Sequence, residues 1–357
     1  MVQNTAPTPL TEPALYTTCP SSANDDVVTY RSDLERVAQW CDRAAYRGAL
    51  IYTDNSLMDP WVVAQESIRR SRSFVPLVAV QPLYQHPFTV ARAVASIALL
   101  HRRSVDLNFV TGGFKADLAS LGDALDHDRR YDRLVEYVEV VRELLTGRRV
   151  TYSGSNYRLE SAKVRAVPAE DLRPDLFVSG SSSSCKQAAK ALGAVRLCYP
   201  PPPDAAISEV AEPGTKWGMR VGVIARGSSD EAWAVAGTRF PADPRGVAKQ
   251  RIISRMSESS WQRNLSLMAE TAARTGSDGM GQDTYWLRPF QSFKTFCPYL
   301  VGSYDEVAQA LRHYLAAGVS TIVLDEPERY DDLAHAHVAI AHAVDGPHHA
   351  PSERPLS

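Results

Sequence analysis

Apolar residues recur every three or four positions through Tyr131, Leu134, Val135, Val138, Val141, Leu144 and Leu145. That spacing lines one face of an α-helix and predicts a helix over 128–146. The same reading predicts helices over 31–46, 87–101, 184–192, 230–237, 248–271, 304–317 and 331–344. Between them lie short apolar runs at 14–18, 48–53, 74–80, 105–110, 175–179, 195–199, 219–225 and 320–324. Rich in β-branched residues and bounded by polar turns, these read as strands buried on both faces. Eight strands alternating with helices is the count of an α/β fold closed into a (β/α)8 TIM barrel. A doubly wound open sheet competes with it, but no GxGxxG opens a helix after a strand. Segment 238–300 is too long for a simple βα loop and carries its own helical pattern, so it predicts an insertion over the active-site face. Pro and polar residues dominate 1–13 and 346–357, which predicts loose tails around a single domain over 14–345.

Charge and cysteine usage then remove several function classes. The formal net charge of −2 leaves no basic excess for nucleic acid or an anionic membrane. Arg69, Arg70 and Arg72 form the densest basic run, which reads as a solvated helix end. Cys19, Cys41, Cys185, Cys198 and Cys297 are spaced like neither a metal knuckle nor a disulfide framework, so no metal is expected. The first residues lack the basic start and apolar run of a signal peptide. No stretch approaches the ~20 apolar residues of a membrane span. The expectation is a soluble protein of the reducing cytoplasm.

Three stretches just past predicted strands carry candidate chemistry, and in a barrel such positions converge on one face. Asn108, inside the run Val105–Gly113, places an amide among apolar neighbours. Left unpaired it would cost about 1–3 kcal/mol, so it needs either a neighbouring backbone or a flat heteroaromatic ring with alternating donors and acceptors. Asp126-His127-Asp128-Arg129-Arg130-Tyr131 opens the strongest helix. Asp128 is expected to cap it, and the same end, with His127 and the Tyr131 hydroxyl, would attract a phosphate. Gly180-Ser181-Ser182-Ser183-Ser184 falls between a strand and a helix. There Gly permits close approach, and hydroxyls with helix-start amides suit an anion. His335 and His337 lie two apart and do not form an i, i+4 ligand pair. The aromatic group Tyr285, Trp286, Phe290, Phe293, Phe296 and Tyr299 either lines a cavity or fills the core of the insertion.

In this order and at these intervals, the three motifs resemble those of the bacterial luciferase-like flavin monooxygenases, in particular the alkanesulfonate monooxygenase branch. Asn108-Phe109-Val110-Thr111-Gly112 is similar to that branch's fourth strand, and Asp126–Tyr131 to the opening of its fourth helix. Ser179-Gly180-Ser181-Ser182 is similar to its phosphate loop; Asp230-Glu231-Ala232-Trp233 and Leu300-Val301-Gly302 also fit. The resemblance spans Arg31 to Val344. It implies a TIM barrel that takes reduced FMN from a separate NAD(P)H-dependent flavin reductase, reacts with O2, and works as a homo-oligomer. It also implies that Asn108 contacts the flavin, while His127, Tyr131, Gly180, Ser181 and Ser182 hold its phosphate. Solvent would have to be excluded, which makes 238–300 the candidate lid.

The substrate side departs from that pattern. Where the sulfonate enzymes carry Arg-X-His, this chain has Arg220-Val221-Gly222; Leu57 stands in place of a Cys, and Phe293 in place of an Arg. A small sulfonate fits such a pocket poorly. Leu57, Gly222, Trp286 and Phe293 are therefore expected to line a site for a larger organic molecule, such as one of secondary metabolism, and Arg220 to act at the reaction centre. Two alternatives stand beside this reading: a deazaflavin-dependent hydride-transfer enzyme on the same barrel, and a degenerate flavin-binding protein.

Overall fold

The computed structural model describes residues 10–23, 26–205, 215–256, 263, 265–268, 281 and 283–345. Most of the two tails, and positions 257–262, 264 and 269–271 of the helix expected over 248–271, lie outside the described residues. Eight parallel strands close a barrel: β1 (Ala14–Thr18), β2 (Gly48–Ile51), β3 (Leu77–Val80), β4 (Asp106–Phe109), β7 (Leu176–Ser179), β8 (Val195–Cys198), β9 (Trp217–Arg226) and β12 (Val319–Leu324). Each pairs with the next, β8 with β9, β9 with β12, and β12 with β1. Closure removes every open edge, and helices outside cover the outer faces, which is why these strands read as nearly continuous apolar runs. Tyr16, Leu50, Leu77, Phe177, Leu197 and Val323 form a cluster of their own, filling the barrel interior from six different strands.

The helices begin where their caps dictate. α1 (Val27–Arg43) is capped by Asp26, α2 (Pro60–Arg69) by Asp59, α3 (Pro87–His101) by the His86 ring, and α6 (Ser183–Leu192) by Ser182. α4 (Lys115–Ser120) is a short turn. One expectation is corrected at α5 (His127–Leu144): its cap is Asp126, whose carboxylate accepts from the Arg129 amide, rather than Asp128. Asp126 sits in extended backbone at φ −66° and ψ 168°, whereas Asp128 is already helical. Three pieces escaped the periodicity. α2 is short and its apolar start at Pro60 and Trp61 is buried, while the hairpin of β5 (Val150–Ser153) and β6 (Arg158–Ala162) is largely exposed.

The third piece lies in the expected insertion. After α7 (Ser229–Arg239) and α8 (Pro244–Met256), the chain returns as β10 (Tyr285–Trp286) and β11 (Tyr299–Ser303). β9 is ten residues long, twice an ordinary barrel strand. Its lower half pairs with β8 at Trp217–Met219, and its upper half pairs with β11 at Gly222–Arg226. The end of the insertion is thus an extra strand grafted onto the barrel's upper rim. Beneath it Trp233, Phe240, Trp286 and Tyr299 form a second apolar core.

Candidate active site

One side of the barrel mouth is built from β4, β7 and the starts of α5 and α6. Asn108 is 3% exposed, and its carbonyl oxygen accepts from the Ser179 hydroxyl at 2.7 Å on the adjacent strand. Tyr131, one turn into α5, is buried; its hydroxyl donates to the Ser179 carbonyl at 3.4 Å, and burial pushes the phenol up. The His127 ring meets it edge-on at 5.2 Å while Nδ1 lies 2.9 Å from Asp128. Asp128 also accepts from the Ser184 hydroxyl, so the starts of α5 and α6 are tied together. Two helix N-termini therefore converge where their first-turn amides lack intrahelical partners.

Gly180 lets Tyr131 and Cys185 pack directly on the loop backbone. Its φ is +147°, and a Cβ there would sit 2.7 Å from the Tyr131 oxygen and 3.0 Å from the Cys185 sulfur. Ser182 caps α6 by accepting from the Cys185 amide at 3.2 Å, with Ser181 leading into it. Arg196, buried on β8, lies 3.4 Å from the Gly180 carbonyl and adds positive charge beneath the loop. Helix-start amides, serine hydroxyls and a cation beneath the loop form a donor set that fits a phosphate dianion. The site thus brings His127, Tyr131, Gly180 and Ser182 together, with Asn108 joined to them through Ser179.

The opposite side of the mouth is built from side chains. Arg220 on β9 is 6% exposed. Its Nη2 donates to Asp325 at 3.0 Å, its Nη1 to the Tyr199 hydroxyl at 3.1 Å, and its guanidinium lies over the Tyr52 ring at 4.9 Å. The Nε is buried with no partner. Asp325, just past β12, accepts on its other oxygen from Tyr299 at 2.8 Å and Thr295 at 2.5 Å. Burial alone would raise its carboxyl; the Arg220 charge and these hydrogen bonds hold it below its ordinary value. Its neighbour Glu326 goes the other way: burial, then the charge of Asp325, push it up to about 7.

The four residues expected to line a substrate pocket occupy four different surroundings. Leu57 lines a cleft of about 400 Å³ with Met58, Trp61, Ala79, Gln81 and Leu121. Gly222 lies against the Tyr299 ring beside Asp325 and Glu326. Trp286 is 1% exposed and packs edge-on to Trp233 and Phe240 in the second core. Phe293 is partly exposed, at a left-handed φ of +55°, with its ring against Phe296 and the Lys249 ammonium 4.4 Å from the centroid. Sequence reasoning missed Tyr52, Tyr199, Asp325 and Glu326. All four directly follow barrel strands, where side chains turn into the mouth, and that position was the available signal.

Among the described residues no group of three or more His, Cys, Asp or Glu could hold a metal, and no helix is long and apolar enough to cross a membrane. All five cysteines are free and buried. The luciferase-like monooxygenase family model matches residues 15–321. The chain is 31% identical over 306 residues to the 4-(gamma-L-glutamylamino)butanoyl-[BtrI acyl-carrier protein] monooxygenase BtrO of Niallia circulans, covering 84% of this chain and 88% of that one. Among solved structures it is similar to the EDTA monooxygenase EmoA of Chelativorans sp. BNC1, with a TM-score of 0.69, 16% identity, and 94% and 93% of the two chains covered. The coenzyme F420-dependent tetrahydromethanopterin reductase of Methanopyrus kandleri shares the fold too, with a TM-score of 0.63, 13% identity, and 94% and 100% covered.

Proposed function

Since the chain belongs to the luciferase-like monooxygenase family and is a flavin-dependent monooxygenase, we propose that it is the oxygenase of a two-component system using reduced FMN from a separate NAD(P)H-dependent flavin reductase. The observation that carries this is the Gly180 corner, where the starts of α5 and α6 are tied together and the Tyr131 hydroxyl packs directly against the loop backbone. Ser181, Ser182, Tyr131 and His127 hold the ribityl phosphate there, and Asn108 with its Ser179 partner faces the ring. When bound, reduced FMN supplies the two electrons that activate O2.

The protein's own groups then orient, shield and move protons. Arg220 is the catalytic cation, buried and pinned so that its field acts in a site of low dielectric. Glu326 is the carboxyl that can hold or release a proton near neutrality, since its two forms are close to balance at about pH 7. The substrate is an organic molecule larger than a short alkanesulfonate and enters by the Leu57 cleft. The likeness to BtrO, a monooxygenase of an acyl group on an acyl-carrier protein, supports an acyl chain. Assembly into homo-oligomers and a place in secondary metabolism belong to the same proposal.

Anaerobic titration with reduced FMN, followed by mixing with oxygenated buffer, tests the cofactor. The expected result is saturable binding and flavin reoxidation at a rate distinct from that of free reduced FMN. Reduction of an acceptor by reduced deazaflavin without O2, and no binding of reduced FMN, would replace this reading with the hydride-transfer one. Arg220→Ala should lower substrate turnover at least ten-fold and leave the affinity for reduced FMN unchanged; unchanged turnover removes Arg220 from the site.

A further inference from the structure

Gly222 stands midway along β9, where a strand residue would ordinarily carry a side chain to pack. A Cβ on it would lie 2.2–2.4 Å from ring atoms of Tyr299. The register explains why: β11 runs parallel to β9 with Tyr299 directly opposite Gly222, and the Gly222 amide donates to the Pro298 carbonyl at 2.8 Å. The Tyr299 ring therefore folds across the strand in the room that Gly222 leaves. Its hydroxyl, 2.8 Å away, reaches one oxygen of Asp325, and Thr295 from the same segment reaches that oxygen too. The other Asp325 oxygen receives Arg220 at 3.0 Å. Thr295 lies just before β11 and Tyr299 is its first residue, so the insertion ends on the carboxylate that orients the mouth's buried cation.

We propose that Asp325 is a positioning residue for Arg220, and that the insertion controls it by delivering the Thr295 and Tyr299 hydroxyls to its far oxygen. A carboxylate bonded on one oxygen only can rotate and take its partner with it; bonded on both, it holds the guanidinium plane fixed. Gly222 is part of the device because it admits the ring. The consequence for the reaction is that withdrawal of the Thr295–Tyr299 segment frees Arg220 to swing away from its place over Tyr52. This proposal rests on the reading of Arg220 as the catalytic cation, and its first test does not depend on that reading.

In the cofactor-free protein, solvent exchange of the Arg220 side-chain N–H groups is measured by 15N NMR, with Arg220→Lys identifying the resonance. Tyr299→Phe keeps the ring and removes one hydroxyl; Asp325→Asn keeps the shape and removes the charge. Exchange is expected to rise at least three-fold in Tyr299→Phe and at least ten-fold in Asp325→Asn, and the double variant should match Asp325→Asn alone. Reduced FMN should bind all three with wild-type affinity, while turnover falls in the same order and without additivity. Unchanged exchange in Tyr299→Phe, with its fold intact by circular dichroism, overturns the proposal, as does a double variant whose losses multiply. If Arg220→Ala leaves turnover intact, the catalytic reading fails by itself, and the exchange experiment still decides whether the insertion holds Arg220.

Discussion

The two sides of the barrel mouth are made differently. The side we assign to the cofactor uses main chain and short side chains: Gly180, Ser182, the starts of α5 and α6, and one phenol. The other side uses long side chains that restrain one another, with Arg220, Asp325, Tyr199 and Tyr299 meeting from four different strands or strand ends. A cradle of amides suits a phosphate whatever molecule is attached, so it tolerates little change. A cluster of side chains can be altered one residue at a time, and of the departures from the sulfonate-like pattern Gly222 is the one that touches it, beneath Tyr299. The proposed assignment makes binding the cofactor and choosing the substrate physically separable.

Three experiments would break or sharpen that contrast. The largest effect is expected from Gly222→Ala, because the methyl has to displace a buried ring 2.2 Å away. Overpacking of this kind costs about 3 kcal/mol. Denaturant unfolding should show it, with reduced FMN affinity unchanged in whatever fraction remains folded; a matching loss of FMN affinity would mean the two sides are coupled. Next is Gly180→Ala, whose Cβ would press on the Tyr131 oxygen at 2.7 Å in backbone at φ +147°. Anaerobic titration should show reduced FMN affinity falling about ten-fold, equal to about 1.4 kcal/mol. Exchange of the Arg220 protons should be unaffected.

The smallest is a pH effect at Glu326. Its folded-state carboxyl is raised to about 7 from the ordinary 4.5. Protonated Glu326 therefore adds stability that is fully present below about pH 4.5 and lost as pH rises through 7. Glu326→Gln cannot ionise, so thermal unfolding should show it more stable than the wild type at pH 8, by about 2 °C, with the gap closing towards pH 5. A gap independent of pH would show that Glu326 does not titrate in this window.

Much of the architecture was legible because barrel strands and helices announce themselves locally. The runs at 14–18 and 87–101 coincide with β1 and α3, and Asn108, His127–Tyr131 and Gly180–Ser182 sit in contiguous motifs at strand ends and helix starts. The N-cap of α5 was misplaced by two residues because Asp126 and Asp128 are both capable caps, and only the backbone angles choose between them. Trp286 and Phe293 were grouped by composition alone. Nothing in a run of aromatics tells that Trp286 packs inward on Trp233 while Phe293 lies partly exposed against Lys249.

By itself, then, the amino-acid order determined the eight-strand count and the closed parallel barrel, and it put Asp126–Tyr131 and Gly180–Ser182 at helix starts. All of these rest on periodicity, or on neighbours a few positions apart. Only the tertiary structure decided that Gly222 is small because Tyr299, 77 positions later by 299 − 222, lies on it. The Arg220–Asp325 pair is likewise made across 105 positions and joined by Tyr199 and Thr295. Such contacts depend on which strands closure sets side by side, and local pattern carries no record of that.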